Sequence, residues 1–206
     1  MKRKSAAWFD PTTWDLDALR AQFAAGAPFP HLILDDLLPA KRTQELMKSF
    51  QREPIFPHDD ELYAHLASLT TPQDPPLRAF HEVLTSQPVI KALAQITGRP
   101  LVRGDGRSYA YTAGHYLLPH TDRNPMDPRA VAFIYYVGTL GKLSGGDLEL
   151  YDCEEKDGYL ARATPKKRIA PKPNRLVIFN VSTTSLHQVR EITKGTRFSV
   201  AGWFYE

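Results

Sequence analysis

Apolar residues recur at helical spacing in the first half of the chain and at strand spacing in the second. Leu16, Leu19 and Phe23 follow Thr13, a capping residue, and precede Gly26, a stop, which predicts a first helix. A short extended segment is expected over 31–35, and Pro39 opens a second helix through Leu46, Met47 and Phe50. Two further helices are predicted over 77–84 and 88–97, the second closed by Gly98. Residues 53–76 are rich in proline and acid and read as a long loop with at most one helical turn.

From Leu101 the pattern changes. Val102 and the stretches 109–112, 116–120, 131–137, 148–151, 175–181, 187–192 and 198–205 are β-branched or aromatic, and Gly, Pro, Asn and Asp separate them. The polar segment 152–172 reads as an exposed connection. Strands after a helical lead-in predict a mainly β fold, a jelly roll or barrel braced by N-terminal helices. With 206 residues, one domain is expected, 1–100 as helical support and 101–206 as the jelly-roll core.

Composition narrows the class only slightly. Hydrophobic residues make up 42% and charged residues 24%, enough apolar material for a folded core. A net charge of +3 is too small to argue for nucleic acid. The lone Cys153 excludes an internal disulfide and a cysteine-rich zinc site. Met1-Lys2-Arg3-Lys4 has the charge of a leader peptide, but Trp8-Phe9-Asp10-Pro11 replaces the apolar run a leader needs, and no stretch approaches a membrane span. A soluble, cytoplasmic protein with no membrane association is expected.

The candidate chemistry centres on His120-Thr121-Asp122 at the end of a predicted strand. Side chains two residues apart on a strand share a face, so an imidazole and a carboxylate can meet one ion. His187, on a later strand, is the natural third ligand. Two histidines and one carboxylate leave open coordination positions, as non-haem Fe(II) oxygenases require, although the same set could hold Zn2+ in a hydrolase. Arg197 lies ten residues after His187, beyond a predicted hairpin turn at Lys194-Gly195-Thr196. Its guanidinium offers a fork for a carboxylate. 2-Oxoglutarate has a keto acid for the metal and a carboxylate for such an arginine, whereas a zinc hydrolase has no use for the second anchor.

These residues resemble the Fe(II)/2-oxoglutarate dioxygenases, in particular their prolyl 4-hydroxylase-like branch of intracellular type. The likeness rests on Tyr-Thr-Ala-Gly-His-Tyr-Leu-Leu-Pro-His-Thr-Asp over 111–122, Arg-Ala-Val-Ala-Phe-Ile-Tyr-Tyr-Val over 129–137, Gly-Gly-Asp-Leu-Glu-Leu-Tyr over 145–151, Pro-Asn-Arg-Leu-Val-Ile-Phe over 173–179, and the run from His187 through Arg197 to Tyr205. The resemblance implies a double-stranded β-helix, the cupin-like jelly roll. It also implies Fe(II), 2-oxoglutarate and O2, with ascorbate as an optional reductant. It assigns Tyr111 and Tyr136 to cosubstrate binding beside Arg197, and puts Trp203 near the pocket. Secreted collagen-type relatives carry lysine where Arg197 stands, and related halogenases lack the carboxylate that Asp122 supplies. Some relatives have a hydroxyl where this chain has Ala201, which removes one cosubstrate hydrogen bond.

The implied reaction is hydroxylation of a prolyl residue in a protein or peptide, of the ribosomal-protein or translation-factor type, with release of succinate and CO2. Alternatives are hydroxylation of a free amino acid or small metabolite, nucleic-acid demethylation suggested by Lys166-Lys167-Arg168, and a non-catalytic 2-oxoglutarate or metal sensor. His58, Asp59, Asp60, Glu61, Tyr63 and His65 are expected in a solvated loop, and His31, His81 and His115 as structural or surface residues. The oligomeric state is not legible.

Overall fold

A computed structural model describes residues 8–206; the basic start at Met1–Lys4 lies outside them. A short 3-10 turn, Pro11–Thr13, is capped by Asp10, and helix α1, Leu16–Ala24, by Asp15, whose carboxylate accepts from the Ala18 N–H. Thr13 therefore belongs to the turn before α1, because an aspartate nearer the first helical turn supplies the stronger cap. Strand β1 is His31–Asp35 and helix α2 is Ala40–Phe50. Helix α3, Pro75–Leu84, has proline in its first turn, and α4, Gln87–Thr97, ends on Gly98 at φ 70°.

The segment 53–76 is not a loop. Ile55–Asp59 (β2) and Tyr63–Ser68 (β3) form an antiparallel hairpin. Its strands lack apolar alternation because much of their surface faces a cavity and solvent rather than the core. The remaining strands are β4 Arg103–Tyr111, β5 Tyr116–His120, β6 Arg129–Gly145, β7 Leu148–Lys156, β8 Tyr159–Ile169, β9 Arg175–Asn180, β10 His187–Val189 and β11 Ile192–Tyr205. The supposed connection 152–172 is mostly the paired arm of β7 and β8. Residues 152–168 are largely exposed in that arm, so neither strand needs an apolar face.

All these strands belong to one sheet ordered β1-β9-β6-β11-β4-β3-β5-β10-β7-β8, with β2 paired to β3. The sheet rolls into two leaves. Strand β3 joins them, pairing with β4 at Leu66 and Ala67 and with β5 at Tyr63 and Ala64. The ends of the roll meet through side chains: Lys167 Nζ of β8 lies 2.7 Å from His31 Nε2 of β1.

Period-two alternation sorts the long strands by face. Phe198, Val200 and Phe204 of β11, with Val131, Phe133, Tyr135 and Val137 of β6, pack against Leu46, Phe50, Leu77, Phe80 and Leu93 of the helices. The opposite face carries Ala132, Ile134 and Tyr136, which meet Leu148, Leu150, Val177 and Phe179 inside the roll. The helices thus brace one leaf and leave the interior of the roll free for chemistry. Among the described residues, no helix is long and apolar enough to cross a membrane.

The predicted hairpin at 194–196 is absent. Strands β10 and β11 are not paired with each other: β10 lies between β5 and β7, and β11 between β4 and β6. Gly195 serves a close approach within β11, since a Cβ there would sit 2.9 Å from the Lys142 carbonyl oxygen.

His81 is buried under the braced leaf, with Nε2 2.8 Å from Ser108 Oγ, and burial lowers its pKa to about 4. The unfolded chain takes up this proton near pH 6.5, the folded chain only near 4. Its contribution is therefore complete above pH 6.5 and is lost as pH falls towards 4, a difference on the order of 2–3 kcal/mol. Thermal melting at pH 7 and pH 5 should show the wild type losing more stability on acidification than His81→Gln. Equal losses would remove this residue from the acid response.

Candidate metal and cosubstrate site

His120 closes β5 and His187 opens β10, and the two are direct partners in the ladder. Asp122 lies two residues beyond β5, in the irregular segment leading to β6, so the carboxylate arrives from outside the strand rather than from strand alternation. Asp122 Oδ1 is 3.6 Å from His120 Nε2, and Oδ2 is 3.5 Å from His187 Nε2. One ligand atom from each of the three residues falls in a cluster within 4.8 Å. Donors about 2.1 Å from one ion lie at most about 4.2 Å apart, so both imidazole–carboxylate separations fit a shared ion.

The histidines are oriented from behind. Nδ1 of His120 lies 2.8 Å from the Leu118 carbonyl and Nδ1 of His187 3.0 Å from that of Ser185. A carbonyl only accepts, so each Nδ1 carries the proton and each Nε2 presents a lone pair to the cluster. Burial pulls the His187 pKa down to about 4. Burial also disfavours protonated His120, but the hydrogen bond and charge of Asp122 outweigh it and raise that pKa. Burial would raise the Asp122 pKa, yet the neighbouring His120 and His187, with a smaller contribution from Trp203, hold it at about 2. The cluster is thus an ionised carboxylate between two imidazoles, a donor set that attracts a cation.

Arg197 sits on β11 opposite Tyr111 of β4 and is 2% exposed. Its guanidinium carbon lies 4.4 Å from the Tyr111 ring centroid and 5.2 Å from that of Tyr136. One terminal nitrogen donates to the Gly146 carbonyl at 2.8 Å. Gly145 and Gly146 both have positive φ, and a Cβ on Gly145 would fall 2.0 Å from the Glu191 carbonyl oxygen. This glycine pair lets the β6–β7 turn close against the start of β11 and bring a carbonyl to the arginine.

Among the described residues no carboxylate pairs with Arg197, and both its Nε and the Tyr136 hydroxyl are buried without a hydrogen-bond partner. An uncompensated buried cation costs several kcal/mol, so this end of the interior is built for an anion from outside the chain. Burial pushes the phenols of Tyr111 and Tyr136 upward despite the opposing arginine charge, leaving both as hydrogen-bond donors.

The metal cluster and Arg197 face one cavity of about 330 Å³, large enough for a small dicarboxylate. His120, Asp122, His187, Tyr111 and Arg197 line it; Tyr136 lies behind the wall, against Arg197. Trp203 also lines it, its ring covered by the Arg129 guanidinium at 3.8 Å. Ala201 lines it as well, and the missing hydroxyl has a neighbour two residues back in Ser199. Ser199, Tyr109 and Arg129 were not anticipated from sequence. Counting in twos from Arg197 would have found Ser199, and the same count from Tyr111 would have found Tyr109. Tyr63 and His65, expected in a solvated loop, line the cavity because β3 crosses its mouth.

Residues 106–205 match the family model described as the 2OG-Fe(II) oxygenase superfamily. The chain is 27% identical to mouse prolyl 3-hydroxylase OGFOD1 over 99% of its own length and 37% of the relative's. It is 30% identical to Drosophila melanogaster prolyl 3-hydroxylase sudestada1, over 86% of this chain and 34% of that one. It therefore spans about a third of the curated relatives it matches. A Pseudomonas putida prolyl-4-hydroxylase structure superposes with a TM-score of 0.70 at 19% identity, covering 91% of this chain and 98% of that one. A Trichoplax adhaerens prolyl hydroxylase, solved with a hypoxia-inducible-factor peptide, gives 0.70 at 16% identity, covering 92% and 88%.

Asp122→Ala should abolish tight binding of Fe(II) or Mn(II), measured anaerobically by calorimetry. The loss should exceed the roughly 10–100-fold typical of removing only a hydrogen-bond partner behind a metal ligand. Unchanged affinity would take Asp122 out of the metal site.

Proposed function

We propose that the chain, whose residues 106–205 match the 2OG-Fe(II) oxygenase superfamily model, is a 2-oxoglutarate- and O2-dependent hydroxylase of prolyl residues in a protein or peptide. The observation that carries the oxygenase reading is the buried, unpaired Arg197 facing the same cavity as the His120–Asp122–His187 cluster. The prolyl reading is supported by the curated relatives, which are prolyl 3-hydroxylases, and by the shared fold of the solved prolyl hydroxylases.

In this reading His120, Asp122 and His187 hold Fe(II) through two neutral imidazole nitrogens and one carboxylate. Bound Fe(II) supplies the O2 chemistry that converts 2-oxoglutarate to succinate and CO2 while one oxygen atom enters the substrate as hydroxyl. Arg197 takes the far carboxylate of 2-oxoglutarate as a charge-assisted pair, the Tyr111 hydroxyl donates to the cosubstrate from the cavity wall, and Tyr136 packs behind Arg197. Trp203 shares the cavity with Asp122 and helps keep its carboxylate ionised. Leu117, Ile134, Leu148, Phe179 and Val189 make much of the remaining lining apolar, which keeps bulk water from the reacting groups.

Anaerobically reconstituted protein given Fe(II), O2 and 2-oxoglutarate should form succinate faster when prolyl-containing peptides are present, and modified peptides should gain the mass of one oxygen. No succinate with Fe(II) shown to be bound would overturn the oxygenase reading. Arg197→Ala should raise the 2-oxoglutarate concentration needed for half-maximal rate by roughly 10–150-fold, the value of a charge-assisted hydrogen bond. An unchanged requirement would remove Arg197 as the anchor.

A further inference from the structure

His65 lies where β3 leaves one leaf for the other. Its neighbours Leu66 and Ala67 pair with β4, Ala64 and Tyr63 pair with β5, and His65 itself pairs only with His58 of β2. The imidazole is enclosed by aromatic rings, with centroids 4.9 Å from Tyr63, 5.2 Å from Tyr109 and 5.4 Å from Tyr111. Those contacts account for the ring but not for its polar edge. The ring lines the cavity, and Nδ1 is buried without a hydrogen-bond partner. A buried polar nitrogen left unsatisfied is costly, and in native proteins such atoms are few.

The position indicates what the nitrogen awaits. On its inner side His65 touches Tyr111, the ladder partner of Arg197. On its outer side β3 begins beside Leu62, which is 57% exposed, and the Leu62 carbonyl accepts from the amide of Leu118, another exposed apolar residue. His65 therefore stands between Tyr111 at the anion site and an exposed apolar rim at Leu62 and Leu118. Burial, reinforced by the neighbouring His58, His115 and Arg107, holds the imidazole neutral, with a pKa of about 4. A neutral imidazole has one donor and one acceptor nitrogen. A prolyl residue within a chain has no N–H, so its main chain offers only acceptors.

We propose that His65 is a substrate-positioning residue whose Nδ1–H donates to a main-chain carbonyl of the substrate polypeptide at or next to the target prolyl residue. The assignment rests on the prolyl-hydroxylase reading above and adds a contact on β3 to it.

The test uses the 206-residue chain loaded with Mn(II) and 2-oxoglutarate under anaerobic conditions, so that binding is read without turnover. The probe is an array of peptides with a central proline, beside a matched array with alanine in its place. Wild type, His65→Gln and His65→Phe are compared, and 2-oxoglutarate affinity is measured separately for each. Glutamine keeps an N–H donor and should hold the wild-type peptides within about threefold. Phenylalanine keeps the ring packing but has no donor, and should lose them by about tenfold or more. 2-Oxoglutarate affinity should be unchanged in both. Equal peptide binding by His65→Phe overturns the inference, as does a parallel loss of 2-oxoglutarate affinity, or no peptide binding by the wild type. If the wild type binds both arrays alike, the prolyl reading fails, while the glutamine–phenylalanine difference still reports the carbonyl contact.

Discussion

Everything in the interior depends on where the three-residue strand β10 is held. It is paired on both sides, with β5 and with β7, and that double pairing puts His187 directly across from His120. So short a strand has little ladder of its own, and it is secured by a buried carboxylate. Glu149 of β7 is 1% exposed and receives Arg168 of β8, Gln188 of β10 and Arg190 just beyond it. Burial works against its charge, but the Arg168 and Gln188 hydrogen bonds and the flanking guanidinium charges win and keep it ionised. The metal cluster is thus oriented by an ion-pair network outside the cavity, which leaves the inward atoms of the ligands uncommitted.

The two leaves divide the work by polarity. The helix-covered face is almost wholly apolar and supplies the stabilising burial. The interior face tolerates a guanidinium, several phenols and imidazoles, and two of its polar atoms near Arg197 have no partner within the chain. Burying these atoms is costly and is offset by the braced leaf behind them, a distribution expected where a site is built for a charged ligand. The glycine pair at 145–146 belongs to the same logic. It lets backbone rather than side chain approach Arg197, so one guanidinium nitrogen is anchored while Nε stays free.

Much of this was legible in the sequence, for reasons that differ by element. Segments 31–35 and 116–120 were readable because apolar runs ended at clear breaks, and the helices because their apolar spacing and end signals agreed. His120, Asp122, His187 and Arg197 stood out through residue type and order, and the fold brings all of them to one cavity. The β2–β3 hairpin and β8 escaped because alternation reports burial, and these strands face a cavity or solvent. His65 shows the cost: a strand whose inward residue is polar looks like a loop. The separation of β10 from β11, where a hairpin was expected, escaped for another reason. Gly195 signals a tight backbone, and chemistry alone does not distinguish a turn from a bulge.

The side-chain seam between β1 and β8 has a consequence for how the molecule meets its own copies. A sheet that closes by backbone pairing has no edges, whereas this one ends in β8, a long exposed strand whose outer main-chain groups could template another chain. Lys166, Lys167 and Arg168 stand in a row along it, with Pro165 just before them. Lys167 is turned to His31 at the seam, and Arg168 is committed to Glu149. The same cations that tie the roll together also crowd its free edge with like charge, so an incoming strand from a second molecule meets repulsion where it would need to align. In this fold, residues that close the roll also set the charge along its free edge.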